Sequence, residues 1–225
     1  AARALDAGVR LLSAASAELF GRPERSPQDE GTPIRPCTPY GAAKAHAFHL
    51  MQMYRERYGM HCGSAILYNH ESPRRPLEFL PRKVANAAAA IRLGIDSELV
   101  LGNLDVVRDW SFAGDVVHAM LLMLEASDPG DYVIASGVGH TVRELVETAF
   151  VHVDLDYREF VVFDERFARP SAGGAPLVGD STLIRERLAW QPEVDFAQLV
   201  RMLVDADLER LVGESGDTAR AAETG

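Results

Sequence analysis

Thr38-Pro39-Tyr40-Gly41-Ala42-Ala43-Lys44 opens a stretch that keeps helical spacing as far as Tyr58 and ends at Gly59; Ser64-Ala65-Ile66-Leu67-Tyr68 follows five residues later. Thr38 is placed to cap the first turn, and Pro39 suits the first helical position because its missing N–H has no partner there anyway. Ala43, Ala47, Met51 and Tyr54 recur at the three-to-four-residue interval of one helix face. Gly59 tolerates the left-handed conformation that stops a helix. The short apolar run from Ser64 to Tyr68 reads as a buried strand. A second such run, Val9–Leu12, precedes the helix. Strand, helix and strand in that order make a β-α-β unit, and such units build parallel sheets.

The same alternation continues outward. A turn over Ala15–Gly21 and a polar, proline-rich loop over Arg22–Pro36 separate the first strand from the helix. Beyond Tyr68, a polar turn Asn69–Arg75 leads to helices predicted over Pro81–Leu93 and Phe112–Leu124. Strands are predicted at Glu98–Leu101, Tyr132–Ala135 and Phe160–Phe163. Thr141 with Glu144 forms a capping box for a helix reaching Phe150. The last helices are expected over Asp180–Leu188 and Phe196–Leu211, with a disordered tail from Gly213 to Gly225. There is no internal repeat. The fold class is therefore α/β: the C-terminal part of a Rossmann-like parallel sheet with a smaller mixed α/β region. Gly137-Val138-Gly139 follows a strand but lacks the third glycine of a dinucleotide fingerprint, and reads as a plain loop.

Of 225 residues, 47% are hydrophobic and 25% charged, and the net charge is −10. This is enough chain to bury a core, and its sign disfavours nucleic acid, which needs a basic stripe. No apolar run approaches the ~20 residues a membrane span requires. Cys37 and Cys62 form no disulfide framework, so a reducing, cytoplasmic setting is expected. His46 and His49 share a helix face but have no further ligand in view, so no metal is expected. The chain starts at Ala1 without an initiator Met and reaches a strand within ten residues, which reads as an N-terminal truncation.

Tyr40 and Lys44 lie one helical turn apart and share a face. A phenol titrates near pH ~10, and lowering it by roughly 3 units takes about 4 kcal/mol. An ammonium about 4 Å away in a partly screened site supplies that much. Such a pair can therefore remove a hydroxyl proton during hydride abstraction. Ser16 and Glu18 sit just past the first strand, where α/β enzymes place reactive groups. Ser16 can donate to a sugar oxygen, and Glu18 can take a carbon-bound proton next to a ketone.

Three runs carry a resemblance: Ser16-Ala17-Glu18-Leu19-Phe20-Gly21, Thr38 to Lys44, and Tyr68-Asn69-His70-Glu71-Ser72-Pro73-Arg74-Arg75. Leu101-Gly102-Asn103-Leu104-Asp105, Arg108-Asp109-Trp110 and Tyr132–Gly137 extend it. Over Ala1 to Asp207 the chain resembles the GDP-mannose 4,6-dehydratases of the extended short-chain dehydrogenase/reductase superfamily. The resemblance implies an NADP-dependent lyase and a homo-oligomer acting on GDP-mannose or a related nucleotide sugar. It implies that Ser16, Glu18, Tyr40 and Lys44 are catalytic and that Tyr40, Lys44, His70 and Arg75 bind the cofactor. Asn69, Lys83, Arg108 and Arg169 would bind the nucleotide sugar, three of them as cations suited to a diphosphate. Residues 1–75 would then be the C-terminal half of the cofactor domain, and 76–212 a nucleotide-sugar region interleaved with its strands. Three positions depart from the family pattern. Ala17 replaces a hydroxyl residue, Phe20 a tyrosine, and Ala172 a carboxylate expected at the nucleotide. An epimerase or reductase of the same superfamily and a non-catalytic fragment are the alternatives; the fragment alone is expected to be inactive.

Overall fold

The computed structural model describes residues 8–167 and 174–223, with side chains as far as Glu214. Its strands are β1 (Arg10–Ser16), β2 (His61–Leu67), β3 (Asn69–Glu71), β4 (Leu99–Leu101), β5 (Val107–Phe112), β6 (Asp131–Ile134), β7 (Gly139–Thr141) and β8 (Val161–Phe163). The helices are α1 (Pro39–Tyr58), α2 (Leu80–Arg92), α3 (Ala113–Glu125), α4 (Val142–His152), α5 (Thr182–Leu188) and α6 (Phe196–Glu223). Strand orders are β1-β2-β6, β3-β5-β7 and β4-β8. The chain forms two compact units, one from residues 1–70, 107–139 and 171–194, the other from 71–106, 140–170 and 195–225.

In the first unit β1, β2 and β6 run parallel, with Ala14 opposite Ala65 and Ile66 opposite Val133. A strand turns alternate side chains to opposite faces, and here both faces are apolar. Ile66, Tyr68, Val133 and Ala135 pack on one side with Ala45 and Phe48 of α1. Ala65, Leu67, Tyr132 and Ile134 pack on the other with Val116, Ala119 and Met123 of α3 and Ile184 of α5. Helices on both faces of a parallel sheet explain why β2 is buried along nearly its whole length.

The two sheet edges differ. The outer side of β6 is covered by side chains: Val133 N–H donates to Glu30 Oε1 at 2.7 Å, and Ala135 N–H to Ser181 Oγ at 3.0 Å. β1 pairs only with β2 among the described residues. The polar loop before α1 is tied down rather than free. Gln28 is fully buried; its amide donates to Arg25 and Pro176 carbonyls and its carbonyl accepts from the Tyr68 hydroxyl.

In the second unit, the alanine run Ala87–Ala90 of α2 is buried, with the small side chains that permit close helix packing. Arg82 of α2 reaches Asp207 of α6 at 2.6 Å, both almost fully buried. Arg210 joins them through Asp207 and Asn86. The short strands β4 and β8 pair in parallel, with Leu99 opposite Val161.

Three strands lie outside the sequence expectation. β3 falls within the expected turn Asn69–Arg75, while β5 carries Arg108 and Asp109 and β7 starts at Gly139. Charged residues and three-residue lengths hide such strands from pattern reading. The last helix also continues beyond Leu211 to Glu223, across the segment expected to be disordered. Extending a helix needs only one further hydrogen bond per residue, and Arg210 pairs with Glu214 one turn on at 2.8 Å. Among the described residues no helix is long and apolar enough to cross a membrane.

Candidate active site

β1 ends at Ser16, and a single 3-10 turn over Ala17–Leu19 follows. Ser16 caps this turn: its Oγ accepts from Glu18 N–H at 3.3 Å. Ala17 and Leu19 are buried beneath, which leaves Glu18 half-buried at the surface of the turn. Local sequence thus sets Ser16 and Glu18 side by side at the end of a parallel strand.

α1 begins where the sequence places it. Thr38 Oγ1 accepts from Gly41 N–H at 3.0 Å, and Pro39 occupies the first turn. Gly41 brings this helix start hard against the turn that carries Glu18. A Cβ built at Gly41 would lie 2.6 Å from the Glu18 carbonyl oxygen. Tyr40 is therefore the neighbour of a residue in contact with Glu18, and it is 56% exposed, open to a ligand. Lys44 Nζ lies 5.6 Å from the centre of the Tyr40 ring and donates to the Ala14 carbonyl of β1 at 2.7 Å. Ser16, Glu18, Tyr40 and Lys44 are consequently gathered at one end of β1, within one unit.

The remaining expected residues stand as follows. Asn69 is exposed on β3. His70 Nδ1–H donates to the Tyr68 carbonyl at 2.9 Å, so in the neutral ring Nε2 is the acceptor. Arg75 Nε is buried without a hydrogen-bond partner, 3.4 Å from Glu71 Oε2. Lys83 Nζ donates to the Val100 carbonyl at 2.7 Å and stands 5.5 Å from the Phe167 ring centre. Arg108 Nη1 donates to the Val107 carbonyl at 2.8 Å. Arg169 and Ala172 lie outside the described residues. No group of three or more His, Cys, Asp or Glu among the described residues is placed to hold a metal.

In donor chemistry these residues fit a nicotinamide dinucleotide. Tyr40 and Lys44 offer donors to ribose hydroxyls, and Arg75, whose Nε faces Glu71, is a planar fork suited to phosphate. Three features of the site are not legible in the motifs. One is the contact of Gly41 with the Glu18 backbone, although the glycine beside Tyr40 is a signal of close approach. Another is the Ala14 carbonyl as the seat of Lys44. The third is the burial of Glu71.

The loop after β6 is organised by Asp109 of β5. Its carboxylate is fully buried and accepts from Ser136 N–H, Ser136 Oγ, Gly137 N–H and Gly179 N–H at 2.6–3.1 Å. Gly137 has φ +86° and Gly139 packs against Val107 and Val178. Both glycines thus have local steric reasons to be there.

The chain matches the model of the GDP-mannose 4,6 dehydratase family over residues 1–203. It is 44% identical over 207 residues to GDP-mannose 4,6 dehydratase 2 of Arabidopsis thaliana, covering 91% of this chain and 55% of that protein. Against the Homo sapiens GDP-mannose 4,6 dehydratase it is 40% identical over 218 residues, covering 89% and 58%. It therefore spans little more than half the length of these relatives. Among solved structures, RMD from Pseudomonas aeruginosa complexed with NADPH superposes with a TM-score of 0.81 at 24% identity, covering 88% of this chain and 66% of that one. DesIV, a dTDP-glucose 4,6-dehydratase from Streptomyces venezuelae with NAD and TYD bound, gives 0.77 at 24%, covering 92% and 62%. At that identity the structural likeness speaks for the Rossmann-type fold alone. The family match over residues 1–203 covers most of the sequence: the chain belongs to the GDP-mannose 4,6-dehydratase family.

Proposed function

We propose that this chain carries the catalytic residues of an NADP-dependent enzyme converting GDP-mannose to GDP-4-keto-6-deoxymannose. The observation that carries the reading is the contact of α1 with the Ala17–Leu19 turn at Gly41. It puts an acid, Glu18, and a phenol, Tyr40, at the same end of β1. A 4-epimerase leaves the C5 proton in place and needs no such carboxylate.

Tyr40 takes the proton from the sugar 4-hydroxyl, and Ser16 Oγ donates a hydrogen bond to the same oxygen. Lys44 holds its ammonium 5.6 Å from the centre of the Tyr40 ring and brings positive charge to that side of the site. A nicotinamide held beside Tyr40 and Lys44 would supply the hydride acceptor for C4 and the hydride donor for C6. Glu18 removes the C5 proton, acidified by the new 4-ketone, and delivers a proton to the departing C6 hydroxyl, which leaves as water. His70 and Arg75 contact the cofactor, while Asn69, Lys83, Arg108 and Arg169 hold the GDP portion.

The test is incubation of the complete polypeptide with GDP-mannose and NADP, reading the sugar product by mass and by its keto group. A 4-keto-6-deoxy product is expected, and Glu18→Gln should slow its formation by about 10²–10³-fold. An epimer as sole product would overturn the assignment. We also infer a homo-oligomer that covers the outer face of α1, where Leu50, Met53, Tyr54 and Tyr58 are exposed. Light scattering would read its mass.

A further inference from the structure

Glu71 is a buried acid that the mechanism above does not use. It ends β3 and is 2% exposed. Two successive turns follow, closed by Arg75 N–H to the Ser72 carbonyl at 2.9 Å and Phe79 N–H to the Pro76 carbonyl at 3.2 Å. They set residues 71, 75 and 79 around one guanidinium. Arg75 Nε lies 3.4 Å from Glu71 Oε2, and the Arg75 guanidinium carbon lies 3.7 Å from the centre of the Phe79 ring. The carboxyl thus takes the Nε edge and the ring takes one face. What remains of the fork is the Nη1–Nη2 edge, the edge that binds phosphate oxygens in a bidentate manner. The Arg75 side chain is 30% exposed, so this edge can be reached.

Removing a carboxyl from water is costly unless the site gains something from it. Glu71 Oε2 and Arg75 Nε have no hydrogen-bond partner among the described residues. A plain structural pair would close a short, well-aligned bond here. A pair that restrains the arginine sideways and leaves its other edge open suits a binding group.

We propose that Glu71 and Phe79 are positioning residues for the cofactor: they hold the Arg75 guanidinium so that its Nη1–Nη2 edge faces a phosphate of the dinucleotide. This rests on the assignment of Arg75 as a cofactor contact. Neither Glu71 nor Phe79 touches the ligand. They restrict the rotamers of a long side chain before binding, which lowers the entropic cost of gripping an anion.

The experiment is calorimetric titration of the complete polypeptide with NADP at pH 8, using Glu71→Gln, Arg75→Ala and the double variant. Arg75→Ala should weaken binding, and Glu71→Gln should weaken it about tenfold in the wild-type background. In the Arg75→Ala background the Glu71 substitution should change affinity by less than about twofold, since its effect passes through the arginine. Equal losses in both backgrounds would overturn the proposal and leave Glu71 a general structural residue. No loss with Glu71→Gln, while Arg75→Ala still weakens binding, would overturn the proposal and leave the cofactor assignment standing. No loss with Arg75→Ala would remove the assignment and the proposal together. A second pair keeps the test open if Glu71→Gln fails to fold. Phe79→Leu should weaken NADP binding and Phe79→Trp, which keeps an aromatic face, should not; equal affinities for the two would count against the proposal.

Discussion

Glu71 and Asp109 are both carboxyls withdrawn from water, and their surroundings treat them differently. Asp109 meets four donors, three of them backbone N–H groups of the glycine-bearing segments it organises. Burial still raises its carboxyl above the usual range, with those donors pulling it back. Burial pushes Glu71 up to about 7, against the attraction of the Arg75 charge. Between its ordinary value of 4.5 and about 7, the folded chain keeps a proton that the unfolded chain has released. Stability contributed by this group therefore falls as pH rises through that window, by at most about 3 kcal/mol. Glu71→Gln should remove this part of the pH dependence, so the variant gains on the wild type between pH 5 and pH 8 in urea melts. Parallel wild-type and variant curves would show that Glu71 titrates elsewhere. A residue that helps bind a ligand while costing the empty fold stability is a common compromise at binding sites. Tyr40 and Lys44 were readable as a pair because one helix sets their spacing. The burial of Glu71 was not, because distant chain supplies it.

α1 shows how much an element owes to its ends. Thr38, Pro39 and Gly59 mark its limits in the sequence, and the structure has Thr38 as N-cap and Gly59 at φ +61° as C-cap. Its buried residues Gly41, Ala45, Phe48 and Met51 follow the helical repeat. Arg55 anchors the far end to Asp131 at the start of β6, with Nη1 to Oδ1 at 3.1 Å. The first turn carries both Tyr40 and Lys44, so fraying there disturbs the site directly. Thr38→Ala should cost about 1 kcal/mol of stability and lower kcat as well. A melt combined with an assay checks both, and loss of stability at unchanged kcat would separate the cap from the chemistry. The capping box of α4, Thr141 with Glu144, was equally legible and has both reciprocal bonds. β3, β5 and β7 were not. Each takes its strand character from partners far away in sequence, and β5 holds Arg108 and Asp109, which a local hydrophobic pattern rejects.

For the molecule as a whole, the unequal edges of the β1-β2-β6 sheet have consequences beyond the site. Glu30 and Ser181 occupy the backbone groups on the outside of β6. β1 has no such cover among the described residues beyond the Lys44 bond to Ala14, and Leu11 on it is 43% exposed. An open, apolar edge strand is a template for pairing with another chain. The 225-residue chain should therefore self-associate with rising concentration despite its net charge of −10. Leu11→Lys should reduce that association, as read by light scattering. Undiminished scattering in the variant would place the contact elsewhere.

The sequence by itself determined the α/β class, the main helices and their caps, and the motifs that mark the family. Those features depend on neighbours within a turn or two, so local chemistry is enough to specify them. Tertiary structure alone decided that Gly41 presses α1 against the Glu18 turn, that Lys44 is seated on the Ala14 carbonyl, and that Asp109 gathers Ser136, Gly137 and Gly179. It also decided how the chain divides into two units of three segments each. Each of these joins residues that the parallel sheet and its long crossovers bring together, and no local pattern records which distant partner a backbone group will meet.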